Sequence, residues 1–111
     1  MRRGDFVTIA LPGDYGKPRP ALIIQDDAFT ALDSVTVARL SSDLYAAPLV
    51  RIDVAPSAEN GLRLPSQIMI DKLVTVPKSR IGERIGQAEP QLVQRVNAAL
   101  ARFLGLPPAQ T

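Results

Sequence analysis

The sequence predicts a mainly β fold, in which several short strands form an antiparallel, barrel-like sheet covered by one C-terminal α-helix. Short segments with alternating or continuous apolar residues recur from residue 5 to residue 86, and turn residues separate them. A helical period of apolar residues begins only after Pro90. A run of strands without intervening helices favours an antiparallel, barrel-like arrangement over a parallel sheet.

The first half of the chain contains four predicted strands. Residues 5–11 alternate in polarity, and residues 34–40 and 49–54 do the same. Residues 20–25 form a nearly continuous apolar run, which is typical of a strand buried on both faces. Residues 12–18 carry Pro, Gly and Asp, which predict a loop between the first two strands.

The second half contains shorter segments. Residues 55–65 are rich in turn formers and predict a connection. Two short strands are predicted at residues 67–70 and 74–76, followed by a single helical turn at residues 77–79. Residues 80–86 alternate weakly and predict the last strand.

One amphipathic helix is predicted at the C-terminus. Pro90 suits its first turn, and Gly105 with Pro107 and Pro108 ends it. Residues 109–111 are expected to be frayed. The residues expected on its buried face are Leu92, Val93, Val96, Ala99, Leu100, Phe103 and Leu104.

A length of 111 residues predicts a single domain over residues 1–111, with the barrel at about residues 3–87 and the helix at about residues 89–104. No segment is long and apolar enough for a membrane helix, and the start lacks a signal-peptide pattern. A cytoplasmic location is therefore expected.

The amino-acid composition excludes several kinds of catalytic and metal-binding site. The chain has no Cys and no His, which excludes disulfides, thiolate metal sites and the commonest general base. It also lacks a phosphate-binding Gly motif and a metal-ligand cluster, so neither a cofactor nor a metal is expected. The net charge of +2 is compatible with nucleic-acid binding only if the cations cluster on one face.

Two sequence blocks carry a family resemblance. Arg3-Gly4-Asp5 opens the first, which continues with the run from Arg19 to Asp26, Arg-Pro-Ala-Leu-Ile-Ile-Gln-Asp. The second runs from Leu64 to Val76 and is followed by the run from Lys78 to Gly82. In their order and spacing these blocks resemble the MazF/PemK (CcdB/Kid-like) toxin family of toxin–antitoxin systems, over about residues 3 to 104.

The resemblance implies a compact antiparallel SH3-like barrel and a homodimer. It implies a metal-independent endoribonuclease that cleaves single-stranded RNA, including mRNA, by attack of a ribose 2′-hydroxyl on the adjacent phosphate. It also implies a cognate antitoxin whose acidic tail lies in the toxin groove.

Arg19 is the first candidate site residue. Pro18 and Pro20 restrict the backbone on either side, so the cation is held at a strand entrance. A guanidinium there can grip a phosphate through two parallel hydrogen bonds. The alternative is a surface arginine paired with Asp26 or Asp27. The resemblance implies that Arg19 is catalytic and stabilises charge on the reacting phosphate.

Two further catalytic residues follow from the resemblance. Ser41 takes the place of a threonine that works with the arginine, although the neighbouring Ser42 could hold that position. Asp71 takes the place of an aspartate proposed as a base in the PemK/Kid branch. That branch also has a histidine, and an arginine where this chain has Met69, so the pairing of Arg19 with Ser41 is the better model. A turn-forming serine and a turn-capping aspartate are the alternatives.

The remaining candidates would bind RNA. Tyr15 could stack on a base, and each cation could instead be an ordinary surface charge. The phosphate-binding candidates are Lys17, Ser42, Arg51, Arg63, Lys72 and Lys78.

Two other functions fit the same fold. One is a CcdB-like inhibitor of DNA gyrase, which would use apolar residues at the end of the helix, here Phe103 to Leu106. The other is a family member that no longer cleaves RNA and acts as a binding module.

Overall fold

A computed structural model describes residues 1–107, so the expectation of a frayed tail at residues 109–111 lies outside the described residues. The chain forms six strands, two short 3₁₀ turns and one α-helix. The strands are β1 (Asp5–Ile9), β2 (Arg19–Ile23), β3 (Ser34–Ser41), β4 (Arg51–Val54), β5 (Ser66–Pro77) and β6 (Ile81–Gln87); the 3₁₀ turns are Asp27–Phe29 and Lys78–Arg80, and α1 is Pro90–Leu104.

All six strands belong to one antiparallel sheet in the order β4-β5-β3-β2-β1-β6. This confirms the predicted antiparallel sheet with a C-terminal helix. The sheet is open, however, because β4 and β6 form its two edges and do not pair with each other within residues 1–107. A fully closed barrel is therefore not what this chain forms.

Strand β5 differs most from the prediction. It is one strand of 12 residues, where the sequence pattern indicated two short strands. Its register against β3 shifts, since Leu40 pairs with Ile68 but Ala38 pairs with Leu73. The extra residues bulge out of the ladder, so the polar residues Asp71 and Lys72 interrupt the apolar pattern without ending the strand.

Apolar residues are buried on both faces of the sheet, as predicted for β2. Leu22 packs in a first cluster beneath α1, together with Phe6 and Ile68. Ala21 and Ile23 point the other way, into a second cluster that includes Val7, Ile9, Val35 and Val37. Because side chains alternate along a strand, these clusters define the two faces of the sheet.

The helix α1 has Pro90 in its first turn and ends at Gly105, whose positive φ of 71° suits a left-handed C-cap. Val96 is buried in the first cluster. The prediction that Phe103 and Leu104 lie on the buried face is wrong, because they are 47% and 56% exposed. The last turn extends past the first cluster, which the helix contacts only through residues up to Leu100. Within residues 1–107 no helix has the length and apolarity required to cross a bilayer.

Arg3 and Asp5 of the opening Arg3-Gly4-Asp5 make hydrogen bonds that connect several parts of the fold. The Arg3 guanidinium donates to the Ile24 carbonyl at 2.8 Å and to Asn97 of α1 at 2.7 Å. The Arg3 N–H donates to Asp27, and this hydrogen bond lowers the pKa of the Asp27 carboxyl. Asp5 is buried and accepts from the backbone N–H of Arg2. These contacts link β1, the end of β2 and α1.

Candidate functional site

The first residue of β2 and the last residue of β3 lie at the same end of two adjacent strands. Arg19 begins β2 and Ser41 ends β3. The antiparallel pairing of β2 with β3 ends at Ala21 and Arg39, and extending that register by two residues would set Arg19 opposite Ser41. Directly opposed residues project from the same face, with Cβ atoms about 5 Å apart. The strand order and register thus place two of the three residues predicted to be catalytic at one end of the sheet.

Both side chains belong to the face of the second apolar cluster. On β3 the residues Val35, Val37, Arg39 and Ser41 share one face because the side-chain period of a strand is two. Val35 and Val37 are buried, whereas Arg39 and Ser41 are partly exposed. The apolar core thus gives way to a polar surface at this end of the sheet.

The guanidinium of Arg19 is exposed and has no hydrogen bond or ion pair to any residue in the described part of the chain. The alternative of a pair with Asp26 or Asp27 is not what the structure shows. Asp26 accepts from the Ala28 N–H at 2.9 Å, and Asp27 from the Arg3 N–H at 2.7 Å. Arg19 therefore keeps its donors available for an anion.

The hydroxyl of Ser41 bonds twice to Asp43. Its Oγ accepts from the Asp43 N–H at 3.0 Å and donates to the Asp43 carbonyl at 3.3 Å, so it stabilises the turn that follows β3. A site role would require the hydroxyl to exchange the longer of these bonds for one to the phosphate. Ser42 is exposed in the same turn, one position beyond the row that contains Arg19. The register favours Ser41 over Ser42 as the partner of Arg19.

Gln67 lies opposite Ser41 on its other side, in β5. Its side chain is buried, and both ends of its amide are bonded. The oxygen accepts from the Tyr45 N–H at 3.0 Å and from Arg51 at 3.1 Å. The nitrogen donates to the Tyr45 carbonyl and to Asp53, each at 2.8 Å. Sequence reasoning missed Gln67, and its only signal was a polar side chain at the start of an apolar strand.

Arg51 lies in this site, but protein groups engage its guanidinium. It donates to the Asp43 carbonyl at 2.9 Å and lies 4.7 Å from the centre of the Tyr45 ring. That distance is within the range of a cation–π contact. Arg51 was predicted as an RNA contact, whereas the exposed Tyr45 was missed because nothing in the local pattern marked it.

A second guanidinium lies beside the pair. Arg39 is half-buried and bonds to Asp14 of the loop between β1 and β2, at 3.4 Å. Its Nε is buried without a partner in the described residues. A charged residue that follows Val35 and Val37 on the same face of β3 was the signal that sequence reasoning overlooked.

The loop of residues 11–18 carries Tyr15 and Lys17 and leads directly into Arg19. The Lys17 N–H donates to the Asp14 carbonyl at 2.9 Å, and the Asp14 carboxylate bonds to Arg39 of β3, so this turn is attached to the same end of the sheet. Tyr15 has a positive φ of 54°, which is uncommon for a residue other than glycine, and its ring is fully exposed. Both predicted RNA contacts therefore border the site.

The other predicted site residues are not gathered here. Asp71 is exposed, with its carboxylate 3.9 Å from the Lys72 ammonium, and contacts neither Arg19 nor Ser41. Arg63 is exposed in the connection before β5. Lys78 donates to the Thr30 carbonyl near the start of β3. Since β3 has eight residues, its two ends are about 23 Å apart, and Lys78 lies far from Ser41.

Comparisons with known proteins identify relatives of this chain. A family model described as PemK-like, MazF-like toxin of type II toxin-antitoxin system matches residues 2–104. The probable endoribonuclease MazF of Mycolicibacterium smegmatis is 48% identical over 107 residues, covering 96% of this chain and 98% of that protein. Endoribonuclease MazF6 of Mycobacterium tuberculosis is 29% identical over 92 residues, covering 81% of each.

Solved structures share the fold. One is an endoribonuclease in complex with its cognate antitoxin from a mycobacterial species, with a TM-score of 0.81 and 25% identity, covering 98% of this chain and 99% of that one. Another is the Mycobacterium tuberculosis toxin MazF-mt6, with a TM-score of 0.80 and 25% identity, covering 94% of this chain and 99% of that one.

Proposed function

The chain belongs to the family of PemK-like, MazF-like toxins of type II toxin-antitoxin systems, and from this premise we propose that it cleaves single-stranded RNA at the Arg19–Ser41 pair. Similar proteins are named endoribonucleases, which supports the activity. The observation that carries the proposal is the Arg19 guanidinium, which is exposed and has no partner within residues 1–107, at the same end of the sheet as the Ser41 hydroxyl.

The proposed reaction uses the RNA itself as the nucleophile. The ribose 2′-oxygen forms a bond to the adjacent phosphorus while the bond from phosphorus to the 5′-oxygen breaks. The 2′-hydroxyl gives up its proton and the departing 5′-oxygen takes one up, so the products are a 2′,3′-cyclic phosphate and a 5′-hydroxyl end, and the step consumes neither water nor a cofactor. Negative charge grows on the phosphate oxygens, and a positioned guanidinium stabilises that charge.

Each residue of the pair has a proposed role. Arg19 binds the non-bridging phosphate oxygens through two hydrogen bonds. The Ser41 hydroxyl orients the same phosphate, because the two residues lie at the same end of adjacent strands. Arg39, with an unpartnered Nε in the described structure, adds positive charge beside them. The role of Asp71 as a base stays a prediction.

The RNA path is proposed to cross the face that carries Arg19. Tyr15 and Lys17 belong to the loop that leads into Arg19, Ser42 follows Ser41, and Arg51 bonds to Gln67, the residue opposite Ser41. Arg63 and Lys72 could contact phosphates further along the strand. Lys78 stays a prediction that the geometry does not favour, because it lies at the opposite end of β3.

We also propose the expected partners. A homodimer is proposed, together with a cognate antitoxin whose acidic tail would cover the Arg19 face. The similar mycobacterial endoribonuclease solved with its cognate antitoxin supports such a complex. A tail that neutralises Arg19 and Lys17 would block the surface that RNA needs. A cytoplasmic location, where mRNA is available, is part of this proposal.

The experiment is incubation of the wild-type protein with mixed single-stranded RNA in excess chelator. We expect cleavage to give 5′-hydroxyl and 2′,3′-cyclic phosphate ends, and to stop when the nucleotide before the cut is 2′-deoxy. Sequencing the ends would identify the RNA word that is cut. Absence of cleavage, or products with 5′-phosphate ends, would overturn the proposal.

A gyrase inhibitor remains the second candidate, because one observation favours it. Phe103, Leu104 and Leu106 are exposed at the end of α1, as that hypothesis requires. Inhibition of gyrase supercoiling by the wild-type protein, without any RNA cleavage, would reverse the ranking of the two functions.

A further inference from the structure

Tyr45 is exposed in the turn after β3, yet its main chain makes three hydrogen bonds. Its backbone N–H and its carbonyl both bond to the side-chain amide of Gln67, at 3.0 Å and 2.8 Å. Its carbonyl also accepts from the Ala47 N–H at 3.0 Å. Gln67 is itself buried, so the main chain of Tyr45 is attached to the sheet rather than to the loop alone.

One side of the Tyr45 ring is occupied by a cation. The Arg51 guanidinium lies 4.7 Å from the ring centre. That guanidinium is fixed in turn by Asp43 and Gln67, at 2.9 Å and 3.1 Å. Tyr45 as a residue is nevertheless 60% exposed, so the side chain is open to solvent. An aromatic ring with a supported position and an open surface is the geometry that base stacking uses.

Tyr45 lies close to the residues that are proposed to cleave RNA. Gln67, which bonds to both backbone polar groups of Tyr45, is directly opposite Ser41. Ser41 also bonds to Asp43, two residues before Tyr45 in the same turn. The ring is therefore one side chain away from the row that contains Arg19.

We propose that Tyr45 is a stacking platform for one nucleobase of the RNA, next to the phosphate bound by Arg19. The inference rests on the proposed function, since it names a binding subsite of the same site. Stacking is tolerant of base identity, because every base has a π-face. Tyr45 therefore positions the strand for attack and leaves the choice of sequence to other contacts. Pre-organisation by Gln67 and Arg51 lowers the ordering cost of binding.

The test measures binding separately from cleavage. The probe is a single-stranded oligonucleotide selected from a random pool by wild-type protein, with 2′-fluoro groups in place of all 2′-hydroxyls so that it cannot be cut. Fluorescence anisotropy compares wild type with Tyr45→Ala, Tyr45→Phe and the control Phe29→Ala. Phe29 is a similarly exposed aromatic near the start of β3, at the far end from Ser41.

We expect Tyr45→Ala to weaken binding about 5- to 100-fold, because that range corresponds to the loss of one stacked base. Tyr45→Phe keeps the ring and should bind like wild type, as should Phe29→Ala. Equal affinity of Tyr45→Ala and wild type would overturn the proposal. So would a loss of affinity that accompanies dissociation of the protein into smaller species in light scattering.

An abasic scan identifies the stacked base. Each base of the probe is removed in turn, and wild type should lose affinity most strongly at one position. Tyr45→Ala should be insensitive at that same position, because the ring that the base contacts is gone. Equal sensitivity of both proteins at every position would overturn the proposal.

Cleavage of the corresponding all-RNA oligonucleotide by wild type is scored independently. Tyr45-dependent binding without cleavage would support Tyr45 as a stacking platform and overturn the proposed function. Cleavage together with Tyr45-independent binding would support the proposed function and overturn the stacking platform.

Discussion

Ser41 pairs with Gln67 of β5 on one side, and on the other side it ends its strand beside the start of β2, where Arg19 lies. We expect Ser41→Ala to lower the cleavage rate about 10- to 100-fold, because a hydrogen bond to a charged group contributes about 1.5–3 kcal/mol. Ser42→Ala should have a smaller effect. Single-turnover cleavage of one RNA by both variants measures this. A larger loss in Ser42→Ala would move the site by one residue.

Asp71 has a distinct test because its carboxylate contacts Lys72 rather than the Arg19–Ser41 row. If it is the base, Asp71→Asn should lower the single-turnover cleavage rate about 10²- to 10⁴-fold, because a positioned general base contributes that much. Lys72→Ala is the matched variant, since it removes the ion-pair partner and keeps the carboxylate. An unchanged cleavage rate in Asp71→Asn would exclude the role.

The site could be predicted only in part from the sequence. Arg19 and Ser41 were assigned by family resemblance, and the strand order sets them at the same end of adjacent strands. Gln67 and Tyr45 were missed because their contacts depend on how β5 and the turn after β3 meet. Arg39 was missed because its partner Asp14 lies in the distant loop between β1 and β2. A one-residue change in strand register would send Gln67 and Arg39 to the other face.

Position 61, in the connection between β4 and β5, requires glycine because the backbone of β6 approaches it closely. Gly61 has a φ of 70°, and a Cβ there would lie 1.9 Å from the Ile85 carbonyl oxygen. Gly105 has nearly the same φ of 71°, but beyond its own helix and chain neighbours no residue among 1–107 has an atom within 4 Å of such a Cβ. Gly105→Ala should therefore cost only the strain of a left-handed residue, about 1–2 kcal/mol.

We expect Gly61→Ala to cost about 3–5 kcal/mol, because the clash with β6 adds to the same backbone strain. Urea unfolding of both variants measures the difference in the free energy of unfolding. Equal losses in Gly61→Ala and Gly105→Ala would show that β6 can move away at little cost.

The elements that the sequence predicted well are those with a complete local pattern. β2 reads as a doubly buried strand and is one, and the start and end of α1 follow from Pro90 and Gly105. The continuity of β5 could not be predicted, since the bulge at residues 69–72 depends on pairing with β3. The exposure of Phe103 depends on where the sheet beneath α1 ends.

The molecule as a whole leaves apolar residues uncovered at one end. Phe103, Leu104 and Leu106 are each about half exposed where α1 ends. A second copy that covers them would account for the proposed homodimer, since grouped exposed apolar side chains mark interfaces. We expect light scattering to give about 24 kDa, twice the 12.0 kDa of one chain.

Leu104→Asp should shift this mass towards 12.0 kDa, because it places a charge in the interface while the half-exposed side chain contributes little to the fold of one copy. A wild-type mass of 12.0 kDa at all concentrations would contradict the homodimer.

The central claim is that Arg19 and Ser41, on the face of the sheet that carries the second apolar cluster, form an RNA-cleaving centre. The most direct test is the single-turnover cleavage rate of Arg19→Ala against wild type in chelator, with Arg102→Ala on the exposed face of α1 as the matched control. We expect Arg19→Ala to be slower by about 10²- to 10³-fold, as for loss of one positioned donor to developing charge, while Arg102→Ala cleaves like wild type. Equal cleavage by a folded Arg19→Ala protein would contradict the assignment.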